Sequence, residues 1–224
     1  MRLMFHCTAL LKRDFLLVYR SRGDVFHALA FYIFIASLFP LAIGPDPELL
    51  QRFTPAVVWI GMIMASLLPL SSVFDADYQD GTLDLMRLHE APLALLILVR
   101  WLAYFIGIQI PLLLVSPWVA LAYGYSVTLV APMMLLLLPG TAIMTLIGLV
   151  GSAITVGTRQ GSALLALVVL PLYVPVLIFG ASGLQALAAL ESAAAQLQFL
   201  LSMGLLALVI APTAAAAALK IQLE

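Results

Sequence analysis

Residues 53–74 read Phe53-Thr54-Pro55-Ala56-Val57-Val58-Trp59-Ile60-Gly61-Met62-Ile63-Met64-Ala65-Ser66-Leu67-Leu68-Pro69-Leu70-Ser71-Ser72-Val73-Phe74, without one ionisable side chain. A helix of about 20 apolar residues crosses a hydrocarbon core of about 30 Å, so this run is long enough to span a bilayer. On either side of it the pattern repeats. Residues 25–43, 93–123, 127–156, 162–179 and a stretch within 199–219 also qualify, which predicts an all-α, polytopic membrane protein with six transmembrane helices. Composition agrees: 64% of the 224 residues are hydrophobic, against 10 Lys and Arg and 11 Asp and Glu. A soluble domain averages about 45–50% apolar and about 25% charged. Soluble enzymes, nucleic-acid binders and disordered regulators are therefore excluded. The single cysteine, Cys7, excludes a disulfide framework or a multi-cysteine metal site.

The stretch 93–123 is overlong and carries Arg100, Gln109, Pro111 and Pro117. As one helix it rises about 46 Å, so it must tilt, kink at the prolines or protrude; Arg100, near its start, can snorkel to the surface. Orientation follows from Lys and Arg, which are enriched on cytoplasmic flanks. Six spans place Arg2, Lys12, Arg13, Arg20, Arg22, Arg87, Arg100, Arg159 and Lys220 on one side and only Arg52 on the other. Both termini are thus expected to be cytoplasmic.

Residues 1–24 are too evenly charged for a cleavable signal peptide. On a helical wheel Arg2, His6, Lys12, Arg13 and Arg20 share one side, and Met4, Leu10, Leu11, Phe15 and Val18 the other. This predicts an N-terminal amphipathic interfacial helix, serving as a topology anchor or touching a partner, ahead of a transmembrane domain over 25–224. On the outer side, residues 181–198 are rich in Ala, with Leu184, Leu187, Leu190 and Glu191, and read as a short interfacial helix or shallow re-entrant element.

Several chemistries lack their residues. A P-loop ends in Lys followed by Ser or Thr; neither Lys12 nor Lys220 has that context, so no ATP hydrolysis by that route and no catalytic cluster is expected on this chain. No span has a central Asp, Glu, Lys or Arg, which argues against an ion-coupled secondary transporter. His89-Glu90 opens a zinc-protease pattern, but Leu93 holds the second histidine position and Pro92 interrupts the helix. His6 and His27 are isolated and read as packed rather than ligating. Trp59, Trp101 and Trp118 are scattered singly, as interfacial aromatic belts allow. Gly148 with Ser152, Gly151 with Thr155 and Ala153 with Gly157 repeat at four-residue spacing. That spacing suits close helix approach within the chain or between subunits.

The longest polar stretch is the loop 75–92, where Asp75, Asp77, Asp80, Asp84 and Glu90 face a single Arg87. Asp80-Gly81 signals a turn, and 82–90 suits about two helical turns stopped by Pro92. Leu85 and Leu88 share one side, and Asp84 and Arg87 are spaced to pair. The loop is either a docking peg that carries a partner's motion into spans two and three, or a solvated connector.

At this loop the chain resembles the CcmB (haem exporter protein B) family of cytochrome c maturation, a membrane subunit of an ATP-binding-cassette complex. The likeness rests on three stretches in order: Leu38-Phe39-Pro40-Leu41-Ala42-Ile43-Gly44-Pro45-Asp46-Pro47-Glu48-Leu49-Leu50; Gln79-Asp80-Gly81-Thr82-Leu83-Asp84 closing at Pro92; and Thr155-Val156-Gly157, Arg159, Gly161 with Leu170-Pro171-Leu172 and Pro175. Glu90 stands where the family pattern has the first proline of a Pro-x-Pro pair. The resemblance implies an ABC-2-like permease in the bacterial inner membrane. In it, Asp77, Asp80, Gly81, Thr82, Leu83, Asp84, Leu85, Leu88 and Pro92 form the coupling loop for a CcmA-type ATPase. It further implies CcmC, CcmD, the periplasmic haem chaperone CcmE and a second copy of the chain as partners. ATP sits on the partner subunit, and haem is handled by the complex, with no cofactor on this chain. Hydrolysis would drive haem delivery and release of haem-loaded CcmE. The alternative is a non-transporting scaffold that assembles haem-handling subunits.

Overall fold

A computed structural model describes residues 22–87, 91–158 and 161–222; among them every regular element is helical. Span one is α1 (Arg22–Ile43) and span two is α2 (Pro47–Leu70). Between them Gly44 takes a left-handed φ of +92°, which favours a residue without Cβ. The Asp46 carboxylate then accepts from the backbone N–H of Glu48 at 3.0 Å and of Leu49 at 3.3 Å, with Pro47 opening the helix. That is an N-cap followed by proline at the first helical position, where a missing N–H costs nothing. The 38–50 sequence is thus the end of span one, a tight turn at 44–46 and the start of span two.

The loop contributes α3 (Asp75–Gln79) and α4 (Thr82–Arg87). Span three is α5 (Leu93–Tyr104), a π turn (Phe105–Gln109) and α6 (Ile110–Ala122). The helix runs unbroken through Pro117; the irregularity lies immediately before Pro111. Proline lacks the N–H its helix needs and its ring crowds the carbonyl four residues back, and the backbone widens there, with Ile110 N–H bonding to the Phe105 carbonyl. The π turn leaves the Gln109 amide fully buried, and neither of its polar atoms has a hydrogen-bond partner among the described residues.

Span four is α7 (Val130–Thr155), span five α8 (Gly161–Ala188) and span six α9 (Ala194–Gln222). Residues 181–198 are not a separate surface helix, contrary to expectation. The Ala-rich half extends span five to Ala188, and 194–198 already belong to span six. Alanine is the strongest helix former, so the spans run on past their apolar cores. The reversal is made by Leu190 at φ +59° and a Glu191 N–H bond to the Ala186 carbonyl of 2.8 Å. Leu184 faces inward, fully buried. The amphipathic helix expected over 1–24 lies outside the described residues up to 21; residues 22–24 open α1.

Spans two and four form the centre, each 61% buried along its most apolar stretch, against 17% for span one. Buried hydroxyls bond back along their own helices, as Thr141 does to the Leu137 carbonyl (2.8 Å) and Thr155 to that of Gly151 (3.0 Å). In hydrocarbon no water is present to satisfy them otherwise. Tyrosines join the spans. Tyr173 donates to the Met144 carbonyl at 2.7 Å, Tyr123 donates to that of Ala36, and Tyr125 to that of Leu184 at 2.7 Å. Burial pushes the Tyr125 phenol up to about 12, so the proton it donates stays in place at neutral pH.

Trp59 is not an interfacial belt residue. It is fully buried at the centre, and its ring occupies the space that Cβ atoms on Gly140 and Gly180 would need. The small residues of span four serve packing within the chain: a Cβ on Gly148 would strike Leu70 and Tyr173, and one on Gly151 would strike Val169.

Candidate functional site

Span two closes with Ser71 and Ser72 hydroxyls bonded to the Leu68 (3.0 Å) and Pro69 (3.1 Å) carbonyls. The chain turns through 71–74 into α3, whose first bond runs from Tyr78 N–H to the Phe74 carbonyl at 2.9 Å. Gly81 then adopts φ +76°, and the Asp80 carboxylate accepts from Thr82 N–H at 2.9 Å. This local bond reorients the chain between α3 and α4. The turn at Asp80-Gly81 is therefore where the sequence places it.

The loop's residues divide by face. Leu83 and Met86 point into the protein, where they join Phe74, Ala91, Leu93, Leu96 and Ile97 with Leu149, Ala153 and Val156 of span four and Ala215, Ala216 and Leu219 of span six. Asp80, Asp84 and Pro92 are exposed, and Gly81 and Thr82 are half-buried. Leu83 is thus an anchor and not part of an outward surface. The side chains of Leu85 and Arg87, and residues 88–90 with Leu88, lie outside the described residues, as does Arg159. The anchoring also corrects the expected route of motion: the loop packs on spans three, four and six, not only on the two it connects.

Asp77 is separated from the other acids. It is 4% exposed and forms an ion pair with Arg100, itself 5% exposed. Arg100 does not snorkel outward; it turns to the loop. Its Nη1 donates to the Val73 carbonyl at 3.4 Å, and its Cζ lies 5.2 Å from the centre of the Phe74 ring. A guanidinium near the membrane boundary needs a counter-charge once it is desolvated, and Asp77 supplies it. Sequence reasoning named both residues without connecting them. The available signal was an arginine about two turns inside an apolar span, preceded by an acid-rich loop.

Tyr78 makes the loop's other notable contact. Its ring rests on Gly157, in the turn between spans four and five, where an added Cβ would lie 2.8 Å from Cζ. Gly157 has φ +75°, so the turn excludes a side chain both by conformation and by space. The chain's other end meets the same region: Gln222 Nε2 donates to the Ile154 carbonyl at 2.8 Å. The loop, the span four–five turn and the end of span six therefore share one face of the bundle.

Among the described residues, a multi-pass, all-helical body with six spans and an acid-edged loop anchored to one face has the build of an ABC-2-like membrane permease. The chain belongs to the CcmB family, whose sequence pattern, described as "CcmB protein", matches residues 5–222. It is 41% identical over 212 residues to "Heme exporter protein B" of Pseudomonas aeruginosa, covering 95% of each chain. It is 39% identical over 220 residues to the protein of that name in Paracoccus denitrificans, with 96% of this chain and 99% of the relative covered. The corresponding protein of Escherichia coli K12 is 35% identical over 212 residues, with 92% and 94% covered.

Proposed function

We propose that this chain is the membrane subunit of a haem exporter in which a separate, CcmA-type ATPase docks on the loop 75–92. The family membership and the relatives' printed names support the haem-export role. The single observation that carries the coupling role is the loop's division of labour. Leu83, Met86 and Asp77 hold it to spans three, four and six, while Asp80 and Asp84 stand outward. A rigid element with an acidic outer edge fits a basic receiving surface and transfers displacement without absorbing it. The loop face is cytoplasmic in this reading, since all Lys and Arg except Arg52 fall on that side, and the membrane is the bacterial inner membrane.

Haem is the cargo of the complex, and ATP binds the partner. CcmC, CcmD and a second copy of the chain complete the assembly, and hydrolysis drives release of haem-loaded CcmE for cytochrome c maturation. The test is co-purification of the ATPase with a variant carrying both Asp80→Asn and Asp84→Lys. The amide oxygen introduced by Asp80→Asn keeps an acceptor for Thr82 N–H, so the turn survives while the charge changes. Recovery of the ATPase is expected to fall roughly tenfold or more, because a like charge now faces the partner's basic surface. Undiminished recovery and cytochrome maturation would refute the docking role. Normal maturation with a hydrolysis-dead ATPase would instead make the chain a scaffold.

A further inference from the structure

We propose that the five-residue helix α3, rather than α4, transmits loop movement into the membrane, by two separate contacts. Asp77 moves span three through Arg100, and Tyr78 moves the span four–five turn through Gly157. This rests on the reading of the loop as the ATPase contact.

Asp77 and Tyr78 are neighbours on α3, and successive helical residues point about 100° apart. One turn of helix therefore reaches two different parts of the bundle. Arg100 holds the α3 region at three places: it pairs with the Asp77 carboxylate, donates to the Val73 carbonyl and stacks over the Phe74 ring. Charge-assisted hydrogen bonds are directional and strong where solvent is excluded, so α3 and span three must shift together or separate at a cost. Tyr78 fills the space left by the absent side chain of Gly157. A rigid ring against a glycine backbone transmits a push with little compliance.

Among the described side chains, the anchoring of α4 is of another kind. Leu83 and Met86 rest in an apolar cluster, where contact is non-directional: it holds α4 to the bundle without tying it to one span. In this arrangement α4 carries the outward Asp84 that meets the partner, and α3 carries the movement inward. Asp77, Tyr78 and Arg100 are positioning residues: none needs to touch haem or ATP.

The experiment uses the whole complex purified from membranes, reading the ATPase retained, the rate of ATP hydrolysis and the ATP consumed per haem transferred to the periplasmic acceptor. Arg100→Lys keeps the charge but loses the planar fork that spans Val73 and Asp77. Tyr78→Ala removes a ring that is 40% exposed, so the fold should tolerate it. Both variants are expected to retain the ATPase and to raise ATP consumed per haem transferred by about fivefold or more, while Tyr78→Phe leaves that ratio unchanged. A purely structural role predicts less complex but the same ratio. Should Arg100→Lys fail to accumulate, Asp77→Leu with Arg100→Met removes both buried charges at similar volume, and an unchanged ratio in that pair overturns the proposal, as it does in the single variants. Absence of any ATPase from the wild-type complex would instead defeat the parent reading.

Discussion

Asp77 of the loop and Arg100 of span three neutralise one another inside the protein, twenty-three positions apart in the chain. Two buried opposite charges attract strongly, but each also loses its hydration, so the pair's net contribution to stability is small. Removing one partner is different, because it strands the other. Asp77→Ala and Arg100→Ala are each expected to cost about 3–5 kcal/mol, whereas Asp77→Leu combined with Arg100→Met is expected to fold about as well as wild type. Thermal unfolding in detergent checks this: additive losses in the double variant would contradict the pairing.

Trp59 and Gly180 make a second prediction. The indole sits where a Cβ at Gly180 would lie, with Gly140 on another side of the ring. Gly180→Ala overfills this site and is expected to cost about 1–3 kcal/mol, with part of the loss recovered when Trp59→Leu is added. The same melting measurement on the single and double variants reads the coupling. Strict additivity would show that the ring does not occupy the cradle.

Gln109 yields a prediction of opposite sign. Both polar atoms of its amide are buried without a partner among the described residues, and an unsatisfied buried polar group costs about 1–3 kcal/mol. Gln109→Leu removes those atoms at similar size and is expected to raise stability by about that amount. A lowered melting temperature would mean that the amide makes interactions essential to the fold.

The six spans were legible because apolar length alone identifies a bilayer-crossing helix, and the Asp80-Gly81 turn because turn residues act locally; the Asp46 cap, equally local, came from the structure. Less was legible where the cause is distant. Spans five and six run past their apolar segments into Ala-rich ends, whose helicity a hydropathy reading leaves undecided. Trp59 reads as a lone aromatic until Gly140 and Gly180, far along the chain, are brought beside it. The acids of the loop look alike in sequence, yet Asp77 is buried and Asp84 exposed; that division depends on Arg100 and on how Leu83 and Met86 sit. The resemblance supplied the loop's importance, and the geometry supplied which side chains face in and which face out.

In the proposed arrangement an ATP-hydrolysing subunit grips the loop from the cytoplasm. A photoreactive amino acid at position 79, an exposed and uncharged site beside the acidic edge, probes this in intact cells. Irradiation is expected to yield an adduct containing the ATPase subunit, lost when Asp80→Asn and Asp84→Lys are both added. An adduct with periplasmic proteins, or none with any nucleotide-hydrolysing subunit, would overturn that arrangement.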